Sequence, residues 1–179
     1  MTAKPRTTPQ ARPADYRAPV RPMPAPPAPR LKRTPHWATR EFNTFMRDRM
    51  DTPFVWGVTD CALFAADGVL AMTDVDIASE FRNKYHDQES SMAVAAEVTG
   101  LNNPTVADCA AYCAAKHGLK EVPPLMAQRG DLVVLSDAGR VIAGLIHLSG
   151  RHVVAQGELG IKKIPITITP ALVLRAWRI

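Results

Sequence analysis

No apolar run in this chain approaches the ~20 residues that a membrane-spanning helix requires, so no such helix is expected. Met1 to Pro13 carry no hydrophobic segment and are not expected to act as a secretory signal. Cysteine is scarce and odd in number, three in all. That argues against a disulfide framework and fits free thiols in a chain made in a reducing cytoplasm. Cys109 and Cys113 are spaced to share one helix face, where they are expected to pack rather than bridge. There is no Cys-x2-Cys or His-x3-His spacing, no glycine-rich phosphate loop and no dinucleotide fingerprint. No metal and no cofactor is therefore expected.

Acidic residues are nearly missing from one end. Residues 1–35 hold eight Lys and Arg against Asp15 alone, a net +7, while the remainder carries −2. The pI near 9.4 thus describes the first 35 residues, and the chain as a whole is not a basic nucleic-acid binder. The same 35 residues hold ten of the sixteen prolines. Proline removes backbone donors and fixes φ, so neither a helix nor a central strand is expected there. Arg21-Pro22-Met23-Pro24-Ala25-Pro26-Pro27-Ala28-Pro29-Arg30 reads as extended, close to polyproline II. Such a composition suits a solvated tail. It also suits an arm that lies along a partner protein, because a stiff chain loses less entropy on docking. A DNA-contacting arm is disfavoured, since no aromatic beyond Tyr16 is interleaved with its charges. The division expected is an arm over 1–35 and a domain over 36–179.

Within the domain the pattern is helices first. Spacing predicts helices over His36–Asp51, Cys61–Met72, Ser90–Val98 and Pro104–His117, the last two closed by Gly100 and Gly118. In the second, Asp67 and Gly68 are expected on the face away from the core. Asp74 to Glu80 has the acids of a calcium loop without its glycine or length, and is expected to open a helix instead. After Pro123-Pro124 the pattern turns to strands: Asp131–Leu135, a turn at Asp137-Ala138-Gly139, Arg140–Leu148, a turn at Leu148–Arg151, His152–Gln156 and Ile161–Ile168. Helices followed by an antiparallel sheet argue an α+β domain.

The most informative stretch is Phe54-Val55-Trp56-Gly57-Val58-Thr59-Asp60-Cys61. Thr59 or Asp60 can cap the helix that follows. Cys61 then lies in the first turn, where unpaired N–H groups and the helix dipole are expected to favour a thiolate. A small buried cysteine that happens to open a helix is the plainer alternative. The Trp-Gly-x-x-Asp-Cys element, with Phe81-Arg82-Asn83-Lys84-Tyr85, Arg129-Gly130-Asp131-Leu132-Val133 and Ala176-Trp177-Arg178-Ile179, resembles the NlpC-type cysteine peptidases. These cut peptidoglycan stem peptides in a papain-like fold. It resembles more closely a set of small phage-tail-associated proteins related to that fold. The resemblance implies an NlpC-like domain in a virion tail, with other tail or baseplate proteins as partners, bound in part through residues 1–35.

Turnover by Cys61 needs an imidazole within hydrogen-bond reach and a third group to orient it. In the NlpC-type pattern those positions fall at Ile142 and near Val154, and both are apolar. His36, His86 and His117 have structural explanations at element ends. His147 and His152 are the remaining candidates, and both fall at the far end of the expected hairpin. His147 is expected roughly 16 Å beyond Ile142 and on the opposite face. Two functions follow. One is a structural tail-tip component whose NlpC-like domain has no hydrolase activity. The other is a tail-associated peptidoglycan hydrolase using Cys61 with His147 or His152.

Overall fold

The computed structural model describes residues 31–166 and 172–179. Most of the proline-rich arm, residues 1–30, lies outside the described residues, as does the end of the strand expected to reach Ile168. The domain is α+β, and its described residues form four α-helices and a six-stranded antiparallel sheet. The helix expected over His36–Asp51 is a π-helical turn, Trp37–Glu41, running into α1, Phe42–Asp48. Helix α2 spans Cys61–Thr73, α3 Gln88–Thr99 and α4 Val106–Lys116. The strands are β1 Lys120–Val122, β2 Leu132–Asp137, β3 Arg140–Ile146, β4 His152–Gln156, β5 Ile161–Pro165 and β6 Val173–Arg178.

Capping explains the helix starts. Asp87 and Ser90 form a capping box at α3, and Thr105 and Asp108 form another at α4. Gly100 ends α3 in the left-handed conformation, φ 70°. No helix begins at Asp74–Glu80, where one is expected from the acids. Asp76 instead accepts from the Ala78 N–H and pairs with Arg82, so its carboxylate stabilises a turn.

α2 is central. Leu63, Phe64, Ala66, Val69 and Met72 are buried, and so are Asp67 and Gly68 on the face expected to be free. Asp67 pairs with Arg49 at 2.7 Å and Arg82 at 2.6 Å. A Cβ on Gly68 would sit 2.1 Å from Leu145 Cδ1, so the helix rides directly on β3.

The strand order is β1-β6-β2-β3-β4-β5. Leu132, Val134, Ala143, Leu145, Val154 and Trp177 face the helices, while Val133, Leu135, Ile146, Val153 and Ala155 form a second cluster on the other side. Ala138 and Gly139, both at positive φ, make the two-residue turn between β2 and β3. β6, between β1 and β2, is not foreseen from the sequence.

Asp131 ties the termini of the domain together. It is wholly buried, and accepts from Arg33 at 2.8 Å, Arg178 at 2.9 Å and the Gln128 N–H at 2.8 Å. Leu31 packs against the main core and the Thr34 N–H donates to the Met72 carbonyl.

Candidate functional site

Gly57 and Asp60 build the approach to Cys61. Asp60 is the cap: one carboxylate oxygen accepts from the N–H groups of Ala62 and Leu63, both at 3.0 Å. The other accepts from the Gly57 N–H at 3.0 Å and the Tyr85 hydroxyl at 2.6 Å. Gly57 has φ 73°, and a Cβ there would lie 2.0 Å from the Tyr85 carbonyl oxygen. Only glycine fits such an approach at positive φ. Its carbonyl accepts from the Asn83 N–H. Trp-Gly-x-x-Asp and the Phe81–Tyr85 stretch are therefore two halves of one lock. The preceding loop is strapped to the β4–β5 turn by Phe54 N–H donating to the Glu158 carbonyl.

Cys61 is the first residue of α2, partly exposed, and lines a cavity of about 450 Å³. The cavity lies between α2, α3, α4 and the start of β3. Phe54, Trp56, Phe81, Met92, Val106 and Ala143 form much of its wall, and Cys109 and Cys113 line it too. The thiolate expected from the helix start is not favoured. Burial pushes the Cys61 thiol up and outweighs the N–H group of Ala143, which favours the thiolate; the Asp60 carboxylate adds to burial and the Ala62 N–H opposes it. Burial likewise carries Cys109 to about 11 and Cys113 to about 12. All three cysteines are thiols at neutral pH.

The strand residue facing the sulfur is Ala143, whose N–H reaches the thiol and whose side chain lies on the helix side of the sheet, one place on from the position read off the sequence. Ile142 packs in the cluster on the other side of the sheet. A slip of one residue exchanges the two faces of a strand. Leu145 pairs with Val154, so carrying that register two residues further sets Gln156, rather than Val154, across from Ala143. Gln156 is polar and buried, but its amide is turned to the loop before Cys61, donating to the Thr52 carbonyl at 2.7 Å and the Gly157 carbonyl at 2.9 Å. Its Oε1 is buried without a partner.

No histidine lines the cavity. His147 lies beyond the end of β3, four residues from Ala143 and hence roughly 13 Å along the strand. An even separation keeps it on the helix side, against the expectation, and its ring meets Phe42 edge-on. His147 Nδ1 accepts from the Ser149 N–H at 3.1 Å, and His152 Nδ1 is 3.3 Å from the Ser149 hydroxyl. Both imidazoles close the β3–β4 hairpin. Among the described residues no group of three His, Cys, Asp or Glu side chains is placed to hold a metal. No helix there is long and apolar enough to cross a membrane.

The family model described as a domain of unknown function, DUF6950, matches residues 32–179. This chain belongs to the DUF6950 family. No curated protein matches it. Among solved structures, the crystal structure of the NlpC/p60 domain of the peptidoglycan hydrolase SagA is a distant likeness. The two are 16% identical, over 78% of this chain and 97% of that one, with a TM-score of 0.45. The DUF6950 match begins at residue 32, beside Arg33, which pairs with Asp131. Within the DUF6950 domain the residues to which sequence reasoning gave no role are Tyr85, Gln156 and Arg33. Tyr85 and Arg33 hold buried carboxylates, which a lone sequence does not pair; Gln156 was hidden by the two-residue offset in the hairpin.

Proposed function

We propose that this DUF6950 chain is a structural component of a phage-like tail tip or baseplate, with an NlpC-like domain that does not hydrolyse peptides. One observation carries the non-hydrolytic half of the reading: the Cys61 sulfur faces Ala143 in an apolar cavity with no imidazole in its wall. Acyl transfer by cysteine needs a thiolate and a base that can return a proton to the leaving amine. Here burial favours the thiol, and the two candidate histidines are engaged at the other end of β3. The motifs that resemble NlpC-type sequences serve as packing and buried-charge elements: Gly57, Asp60, Arg82, Tyr85 and Asp131 each hold another segment in place.

The tail assignment rests on the motif resemblance to small phage-tail proteins, and the partners proposed are neighbouring tail or baseplate subunits contacted in part through residues 1–35. The test has two arms. Purified protein is incubated with peptidoglycan and with isolated stem peptides, beside Cys61→Ala. No fragments are expected from either; fragments from the parent chain alone would establish the peptidase. In the second arm the chain is expressed in its native host and any tail particles are purified. The chain is expected in the particles and a version lacking residues 1–30 is expected to be missing from them. Particles that never contain the chain would overturn the tail reading.

A further inference from the structure

The cavity at Cys61 has no use in the scaffold reading. Its wall is mostly apolar. The polar side chains that reach it are mostly engaged within the chain: Asp60 has four donors, Tyr85 donates to Asp60, Thr105 caps α4 through Asp108, and Ser91 donates to the Gln88 carbonyl. None of the buried side-chain atoms that lack a partner among the described residues belongs to its wall. What remains is hydrocarbon, aromatic faces and three sulfurs, together with the side chains of Arg140 and Gln88. Exposed Trp56, Met92 and Val141 continue this surface to the rim, so an apolar path runs from solvent inward to buried Cys113.

A space of about 450 Å³ falls within the range that small-molecule sites occupy. Apolar cavities hold water poorly and leave their lining atoms without contacts, so filling one with hydrocarbon is favourable. A peptide would bring an N–H and a C=O per residue into a wall with little left to pair them, which is costly. A flexible aliphatic chain brings none. We infer that this cavity binds a single aliphatic chain, as carried by a medium-chain fatty acid or a similar single-chain amphiphile, with the polar end left in water at the Trp56–Met92–Val141 rim. The site would be present in a scaffold and in an enzyme alike, so it stands apart from the tail assignment.

The thiols provide a built-in reporter. The full chain is treated with N-ethylmaleimide in alkaline buffer, with and without decanoate below its micelle-forming concentration, and modification of Cys61 is followed by peptide mass spectrometry. By mass action, ligand at about ten times its Kd is expected to slow Cys61 modification roughly tenfold and to raise the Tm. Ala110→Phe, which fills the cavity from α4, is expected to abolish both effects. Cys109→Leu is the milder filling variant, used if Ala110→Phe does not fold. Vesicles of two-chain phospholipid form the comparison for a membrane source. Absence of protection by decanoate, equal protection in the folded filling variant, or protection by vesicles alone would each overturn the inference.

Discussion

Asp60 spends all of its hydrogen-bonding capacity on structure. Four donors converge on a carboxylate that is 3% exposed, and two of them are free N–H groups in the first turn of α2. Asp60→Ala removes the cap and leaves the Tyr85 hydroxyl and the Gly57 N–H unpaired. A lost cap costs about 1 kcal/mol and buried unpaired groups add about 1–3 kcal/mol. Urea unfolding should therefore show a loss of about 3 kcal/mol, and Tyr85→Phe about 1 kcal/mol because the other three donors persist. The neighbouring Cys61 should behave as an ordinary or sluggish thiol. Its ordinary value is 9.0 and burial moves it upward, so alkylation by iodoacetamide should keep accelerating through pH 9. A rate that levels off near neutral pH would mean an activated thiolate and would revive the hydrolase. Cys61→Ala should alter stability only slightly.

At the level of elements, the β3–β4 hairpin separates the imidazoles from the sulfur and also sets a pH response. His147 lies below its ordinary value of 6.5, because burial disfavours its charge and Lys163 and His152 repel it. A depressed histidine is protonated first in the unfolded chain. The stability it contributes is complete above about pH 6.5 and is lost as pH falls below that value toward its folded pKa. His147→Asn keeps an acceptor for the Ser149 N–H but cannot titrate. Urea midpoints measured from pH 8 to pH 5 should fall less steeply for His147→Asn than for the parent chain. This hairpin also shows what a sequence can and cannot display. Its turn residues and strands are legible, because Leu148–Arg151 breaks the apolar pattern on both sides. Which of Ile142 and Ala143 faces α2 is not, since both are apolar and a one-residue choice exchanges the faces. The α2 start is legible from Asp60, whereas burial of Asp67 depends on Arg49 and Arg82 arriving from distant segments. β6 escapes notice because exposed Leu174 and half-buried Arg175 interrupt its alternation; its place in the sheet comes from β1 and β2 on either side.

For the whole molecule, the decisive question is where the arm stops and the domain starts. Composition places the change at residue 36, since the last of the ten prolines is Pro35. Physical contacts begin earlier. Leu31 packs on the core, Arg33 stacks over Trp37 at 4.2 Å and pairs with buried Asp131, and Thr34 is bonded to the end of α2. Asp131 has Arg178 as its second cation, so the two ends of the domain share one buried carboxylate. Breaking a buried pair by removing one partner typically costs about 3–5 kcal/mol, because the remaining charge stays desolvated. Arg178 softens that cost here but cannot replace the Arg33 stacking or the Leu31 packing. Two truncations separate the alternatives. A chain beginning at Leu31 keeps the Leu31, Arg33 and Thr34 contacts and should unfold within about 0.5 kcal/mol of the full protein. A chain beginning at His36 should lose about 3 kcal/mol, and Arg33→Ala in the full chain should account for most of that loss. Equal stability of the two truncations would mean that Asp131 is satisfied by Arg178 alone, and the domain would then begin where the prolines end.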